Sequence, residues 1–214
     1  MNKLLTFGCS MTFGHGLVDC WHPNDRTPGH RPSKYAWPAL LGKQLDLQTE
    51  NLSRPGSSNR EIWWKIVNTD FHRYDTVVIL WSLVARYCIV TDNDFPEIQM
   101  GVWKTNPESA IYSDLFRYNN DFNLSVESLT FVNHANSYLQ RQGVTRVYNY
   151  AVNHEEWTSV VDQKWNHTHI IGYANDIWAG VNDVALDNAH PGNKMHIAFA
   201  KEVCKNIKGE THEN

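Results

Sequence analysis

No stretch of this 214-residue sequence approaches the ~20 apolar residues that a bilayer-spanning helix needs. The longest, Thr76 to Ala85, is interrupted by Ser82, so no membrane span is expected. Basic residues are too few and too scattered to form a stripe: 19 Lys and Arg against 23 Asp and Glu leave a formal net charge of −4. That balance argues against a nucleic-acid partner bound through phosphates. Cysteine is scarce as well. Cys9, Cys20, Cys88 and Cys204 include no CxxC pair, which excludes a disulfide framework and a paired-thiolate metal site. The opening MNKLLTFGCSMTFGHG holds only a four-residue apolar run, short of the ~7–15 of a secretory core. A cytoplasmic, reducing location is the expectation, and the sequons at Asn51, Asn123 and Asn166 then carry no glycan.

What is present describes a globular chain, 42% hydrophobic and 20% charged, sized for one domain over residues 1–214. Lys3 to Gly8 reads as a short strand stopped by glycine. Residues 15–33 show no periodicity and form a long loop, a candidate lid or pocket rim. Trp37, Leu40, Leu41 and Leu45 give helical spacing over 35–45, with Pro38 tolerable in the first turn. A second strand over 49–53 closes at Arg54-Pro55-Gly56. Ser58 and Glu61 form an S-x-x-E capping box that starts a helix carrying Ile62, Trp63, Ile66 and Val67 on one face.

Asp75 to Ser82 is apolar on both faces, as a central parallel strand covered by helices should be. Residues 86–113 read as an insertion with Pro96, Gly101 and Pro107. A long helix follows over about 114–142, broken near Asn119-Asn120-Asp121. A strand over 144–152, a loop or short helix near 155–163, a strand over 168–173 and a loop to Leu186 come next. The final helix, 193–208, carries Met195, Phe199, Val203 and Ile207 in one row. Strands alternating with helices predict an α/β fold, a three-layer α/β/α sandwich with a mainly parallel, flavodoxin-like sheet. In such sheets ligands bind beyond the carboxyl ends of the strands.

The candidate chemical residues fall at those ends. Ser10, in Gly8-Cys9-Ser10, follows the first strand, where a helix start supplies backbone N–H groups and a positive field; serine there is also a favoured helix cap. Asp187 and His190, in Asp187-Asn-Ala-His190-Pro-Gly192, are three residues apart before the last helix. Carboxylate can bond imidazole at that spacing, leaving the other ring nitrogen free to take a proton from a serine; a plain helix-entry turn has the same pattern. Gly56 lets a backbone N–H approach a developing oxyanion, and Asn59 can add an amide. Asn153 closes a strand at the ligand edge.

Serine after the first strand, Gly and Asn after the second, and Asp-x-x-His before the terminal helix, in that order, resemble the SGNH (GDSL-like) hydrolase family from residue 4 to about 205. The resemblance implies a serine esterase with Ser10 as nucleophile, His190 as general base, Asp187 as its orienting acid, and the Ser10 and Gly56 N–H groups in the oxyanion hole. It implies a small-molecule or glycan ester substrate, such as an O-acetylated sugar, and no cofactor. One departure stands out: the family places an Asn donor after the third core strand, and here the chain reads Trp81-Ser-Leu-Val-Ala-Arg86. Where measured elsewhere, losing one oxyanion donor costs about 2.7–4 kcal/mol. Arg86, Ser82, Asn59 and Asn153 are candidate replacements. The alternative is a catalytically weak or inactive binding module on the same scaffold.

Cys9 beside the serine reads as a small buried hydrophobe. His15, Cys20, His22 and His30 crowd one loop, but at no recognised ligand spacing, so no metal is expected. The nine Trp are assigned to the core, with Trp21, Trp103, Trp157 and Trp178 the candidates for stacking on a sugar. Neither the oligomeric state nor the acyl group follows from the sequence.

Overall fold

The computed structural model describes residues 3–89, 98–100, 121–157 and 169–209. Five parallel strands make the central sheet: β1 (Lys3–Phe7), β4 (Gln48–Asn51), β5 (Tyr74–Trp81), β8 (Arg146–Ala151) and β9 (Ile170–Tyr173), in the order β4-β1-β5-β8-β9. By position along the chain this is the 2-1-3-4-5 order of flavodoxin-like sheets. The order reverses between β1 and β5, where such folds open a binding crevice.

The central strand shows why the sheet forms here. Val77, Ile79 and Trp81 point to one side, and Val78 and Leu80 to the other; all five are fully buried. Helices α3 (Asn59–Val67) and α4 (Asp121–Arg141) cover the first side with Ile62, Ile66, Leu129, Val132 and Leu139. Helices α2 (Trp37–Leu45), α5 (Ala174–Trp178) and α6 (Asn193–Lys208) cover the second with Trp37, Leu41, Trp178, Phe199 and Val203. The α/β/α layering expected from the sequence is observed. Phe199 meets Trp37 and Tyr150 edge-on, at ring-centroid distances of 5.1 and 5.2 Å, contacts worth about 0.5–1.5 kcal/mol each beyond their area. The four cysteines are free and buried. No described helix is long and apolar enough to cross a membrane.

Two regions differ from expectation. Residues 174–178, expected in a loop, form α5: β9 runs into it without a turn residue, and the helix is held by buried Trp178 rather than by any periodicity five residues could display. The 15–33 loop contains a ribbon of β2 (Trp21–His22) and β3 (Thr27–Pro28), too short to give an alternating pattern. The expected 86–113 insertion is described only as the antiparallel pair β6 (Tyr87–Ile89) and β7 (Ile98–Met100). Its remaining stretches, the Asn119-Asn120 break, and residues 158–168 with the rest of the 155–163 segment lie outside the described residues. So does Trp103.

His196 joins two helices of one layer. Its Nδ1 accepts a hydrogen bond from the Trp37 N–H, 3.2 Å away, an N-terminal group of α2 that has no partner within its own helix. Accepting requires a neutral ring. Burial, then the charge of His190, push its pKa down to about 3, with Asp183 opposing. The unfolded chain therefore takes up a proton near pH 6.5 that the folded chain refuses. Stability is full above that pH and falls as acid is added, by about 1.4 kcal/mol per pH unit for this one group. Urea unfolding of the wild type and of His196→Asn from pH 7 to 4 should show the variant's stability declining less steeply by about one proton; equal slopes would contradict the assignment.

Candidate active site

Ser10 sits where β1 turns into the short helix α1 (Ser10–Phe13). The turn is tight enough to demand glycine at position 8, because a Cβ there would lie 2.0 Å from Thr12 Oγ1 and 3.1 Å from the Leu80 carbonyl. Cys9, fully buried, occupies the cap position in an extended conformation with no side-chain cap bond. Ser10 is therefore the first helical residue and not the cap. Its Oγ is buried and has no hydrogen-bond partner, an arrangement that costs about 1–3 kcal/mol in a folded protein.

Asp187 and His190 lie in a closed turn. The Ala185 N–H donates to the His190 carbonyl (2.9 Å), the Gly192 N–H to the Asp183 carbonyl (3.0 Å), and Val184 bridges Pro191. Asn188 takes a left-handed conformation, φ 58°, one that Asn tolerates better than most residues. Asp187 Oδ1 accepts from the N–H groups of Ala189 and His190, both at 3.1 Å, and Oδ2 lies 2.5 Å from His190 Nδ1. Burial works to raise the Asp187 pKa, but the bonds from Ala189 and from the His190 ring and backbone outweigh it and hold the carboxyl below its usual range. An ionised carboxylate can only accept, so the proton of a neutral His190 sits on Nδ1 and the lone pair on Nε2.

Two left-handed glycines bring these turns together. Gly14 (φ 81°) ends α1, and Gly16 (φ 86°) accepts the Leu186 N–H at 2.9 Å on its carbonyl. A Cβ on Gly16 would lie 2.7 Å from Asp187 Cγ. Between them His15 donates its N–H to the Ser10 carbonyl (3.1 Å) and stacks its ring on His190, with centroids 4.4 Å apart. Its Nε2 lies 3.9 Å from Asp187 Oδ2, and its other neighbour is Trp21 at 5.4 Å between rings. Burial and then His190 lower the His15 pKa against the opposing pull of Asp187. The Asp187–His190 pair is thus docked on the turn that leaves Ser10, although no hydrogen bond joins Ser10 Oγ to the imidazole in this conformation. Sequence reading noted His15 only as one of the imidazoles crowding its loop and did not place it against Asp187 and His190.

The remaining candidates are placed less directly. Gly56 (φ 82°) follows Pro55 in a turn closed by the Ser57 N–H on the Arg54 carbonyl, the geometry that calls for glycine in a type II turn. That loop is stitched to the Ser10 turn: the Arg54 N–H donates to the Gly8 carbonyl (3.3 Å), and Asn51 Nδ2 to the Thr12 carbonyl (2.9 Å). Asn59 is not the donor expected. Its Oδ1 accepts the Ser82 N–H (2.7 Å), and its Nδ2 donates to the Ser82 carbonyl (3.2 Å) and to Ser128 Oγ (3.0 Å). The buried amide is fully engaged as a clamp on the loop after β5. Arg86 Nη1 donates to Ser82 Oγ (3.0 Å) on that same loop. Asn153 Oδ1 accepts the Glu155 N–H (3.1 Å), capping the helical residues 154–157. Two surface cavities, of about 550 and 750 Å³, lie at the amino ends of β1 and β5 and beside α2, and contain none of these residues.

Gly16 tests the docking. Gly16→Ala adds a strained left-handed residue and a clash with Asp187, so it should cost roughly 1–3 kcal/mol in urea unfolding. An effect of a few tenths would mean that the two turns are not pressed together as described.

No family model matches the sequence, and no curated protein does. Solved structures match over nearly the whole chain. A carbohydrate esterase, whose active site is reported to display divergent catalytic and non-catalytic binding functions, is 14% identical with a TM-score of 0.59, over 97% of this chain and 65% of that one. The chain thus spans about two thirds of that esterase's length. A carbohydrate acetylesterase from Sinorhizobium meliloti is 8% identical with a TM-score of 0.59, over 99% of this chain and 100% of that one. A protein of the G-D-S-L family from Desulfitobacterium hafniense is 11% identical with a TM-score of 0.51, over 96% and 99%. The chain has the SGNH (GDSL-like) hydrolase fold.

Proposed function

We propose that the chain is a serine esterase that cleaves a carboxylic ester through Ser10, His190 and Asp187. The observation that carries this reading is the Asp187–His190 pair, 2.5 Å apart and tied through Gly16 to the turn that leaves Ser10, whose buried hydroxyl is neither a cap nor hydrogen-bonded. Ser10 Oγ attacks the ester carbonyl while His190 Nε2 takes its proton. The tetrahedral oxyanion is met by the N–H groups of Ser10 and Gly56. Its collapse expels the alcohol, which leaves with the proton from His190, and an acyl group remains on Ser10. Water, deprotonated by His190, then releases the carboxylate. Asp187 holds the ring in the tautomer this sequence needs and offsets the charge of the imidazolium.

An O-acetylated carbohydrate is the proposed substrate. Two of the structural relatives act on carbohydrates, one as an acetylesterase, and half-buried Trp21 against His15 offers an indole face beside the imidazole pair. A second reading, a binding module of weak or no activity, draws on the loop after β5: it carries no Asn, and Asn59 is engaged elsewhere.

Labelling with a fluorophosphonate and turnover of p-nitrophenyl acetate separate the two. The esterase reading expects labelling confined to Ser10. Ser10→Ala and His190→Ala should lose roughly 10³-fold or more in kcat/KM, and Asp187→Asn about 10⁴-fold. Because Asp187 is held below the usual carboxylate range by its bonds from Ala189 and His190, activity should show no loss attributable to Asp187 where ordinary carboxylates titrate; a loss that Asp187→Asn removes would contradict this. No labelling together with no turnover supports the binding module, and hydrolysis surviving in Ser10→Ala places the chemistry elsewhere.

A further inference from the structure

The proposed mechanism leaves His15 without a task. Its ring is mostly covered, with 17% of the side chain exposed, and its Nε2 is buried without a hydrogen-bond partner. Among the described residues, His15, Asp187 and His190 are the one group of three ligating side chains whose donor atoms all lie within 4.8 Å of one another. Two imidazoles and a carboxylate suit a borderline transition metal such as zinc, which takes such donors at about 2.0–2.2 Å in a tetrahedral site completed by water.

We infer that His15, Asp187 and His190 form an inhibitory site for a divalent transition metal, zinc in the first instance. The inhibition rests on the reading of His190 as general base; the binding does not. The ion accepts lone pairs from His15 Nε2, Asp187 Oδ2 and His190 Nδ1, taking the place of the proton that Asp187 and His190 share. That proton moves to His190 Nε2, so the ring stays neutral and no proton is released. A protonated Nε2 cannot take the serine proton, and the metal-bound carboxylate no longer orients the ring. The ligands need shifts of about an ångström to close on an ion, with the two stacked rings turning about their side-chain bonds. No spacing motif announces the site, because one ligand comes from the first turn of the chain and two from the last.

Calorimetric titration of chelator-treated protein with zinc chloride tests the binding, and p-nitrophenyl acetate turnover with and without EDTA tests the effect. The wild type and Ser10→Ala should each bind one zinc ion per chain. His15→Phe, which keeps a ring for stacking, and Asp187→Asn, as a second variant checked for folding by circular dichroism, should bind roughly tenfold more weakly or not at all. His22→Gln, which alters the other imidazole-rich part of that loop, should bind as the wild type does. Wild-type turnover should fall in step with occupancy and return with EDTA, while His15→Phe resists zinc. Equal binding by His15→Phe and the wild type would overturn the site, and an occupied wild type that hydrolyses at full rate would overturn its inhibitory role. If Ser10→Ala still hydrolyses the ester, the esterase reading fails, while the calorimetric comparison still decides the metal site.

Discussion

The contact between Gly16 and the turn at 185–190 is the constraint on which the site depends. β1 and the loop before α6 are far apart in sequence, and the sheet alone would leave them as neighbouring edges with no fixed relation. The Gly16 carbonyl holds the Leu186 N–H, and the absent side chain makes room for the Asp187 carboxylate. Any other residue at position 16 would have both to adopt a left-handed backbone and to overlap that carboxylate. With the contact made, the Asp187–His190 pair, oriented within its own turn by three local hydrogen bonds, is presented to the turn that leaves Ser10.

How much of this could be read in advance follows the distance between interacting residues. β5 was legible because burial on both faces writes a continuous apolar run, and the start of α3 because Ser58 accepts the Glu61 N–H three residues on. Asp187 and His190 were legible for the same reason: both partners lie in one turn. Asn59 was misread because its partners, Ser82 and Ser128, belong to other elements, and no local pattern shows that an amide will be consumed by them. His15 was grouped with the wrong partners, the other imidazoles of its loop, because Asp187 and His190 come from the far end of the chain. α5 escaped because five residues cannot show a helical period, and tertiary burial of Trp178 holds them in place.

The polar groups of the site differ in how fully they are satisfied. Asn59, Asp187 and Asn153 all have partners that a structural role explains. Ser10 Oγ and His15 Nε2 do not, and buried polar groups left unsatisfied are uncommon enough to call for an explanation. His15 stacks on the His190 ring, and Ser10 opens the turn on which the His190 loop is docked. An arriving ester and an arriving metal ion would each supply one of them with a partner, and in the two cases the His190 proton sits on opposite nitrogens. The loop after β5, where an oxyanion donor would be expected in this fold, is instead fastened by Asn59 and Arg86 through Ser82. Under the esterase reading, stabilisation of the oxyanion would rest more heavily on backbone donors.

The central claim is that His190, held by Asp187, serves the Ser10 hydroxyl. A crystal structure of the protein after reaction with an alkyl phosphonate tests it most directly. The account predicts a phosphorus atom bonded to Ser10 Oγ, its oxyanion facing the Ser10 and Gly56 N–H groups, and His190 Nε2 within hydrogen-bond reach of an adduct oxygen. An unmodified Ser10, or an adduct there with the His190 ring turned away and out of reach, would contradict it.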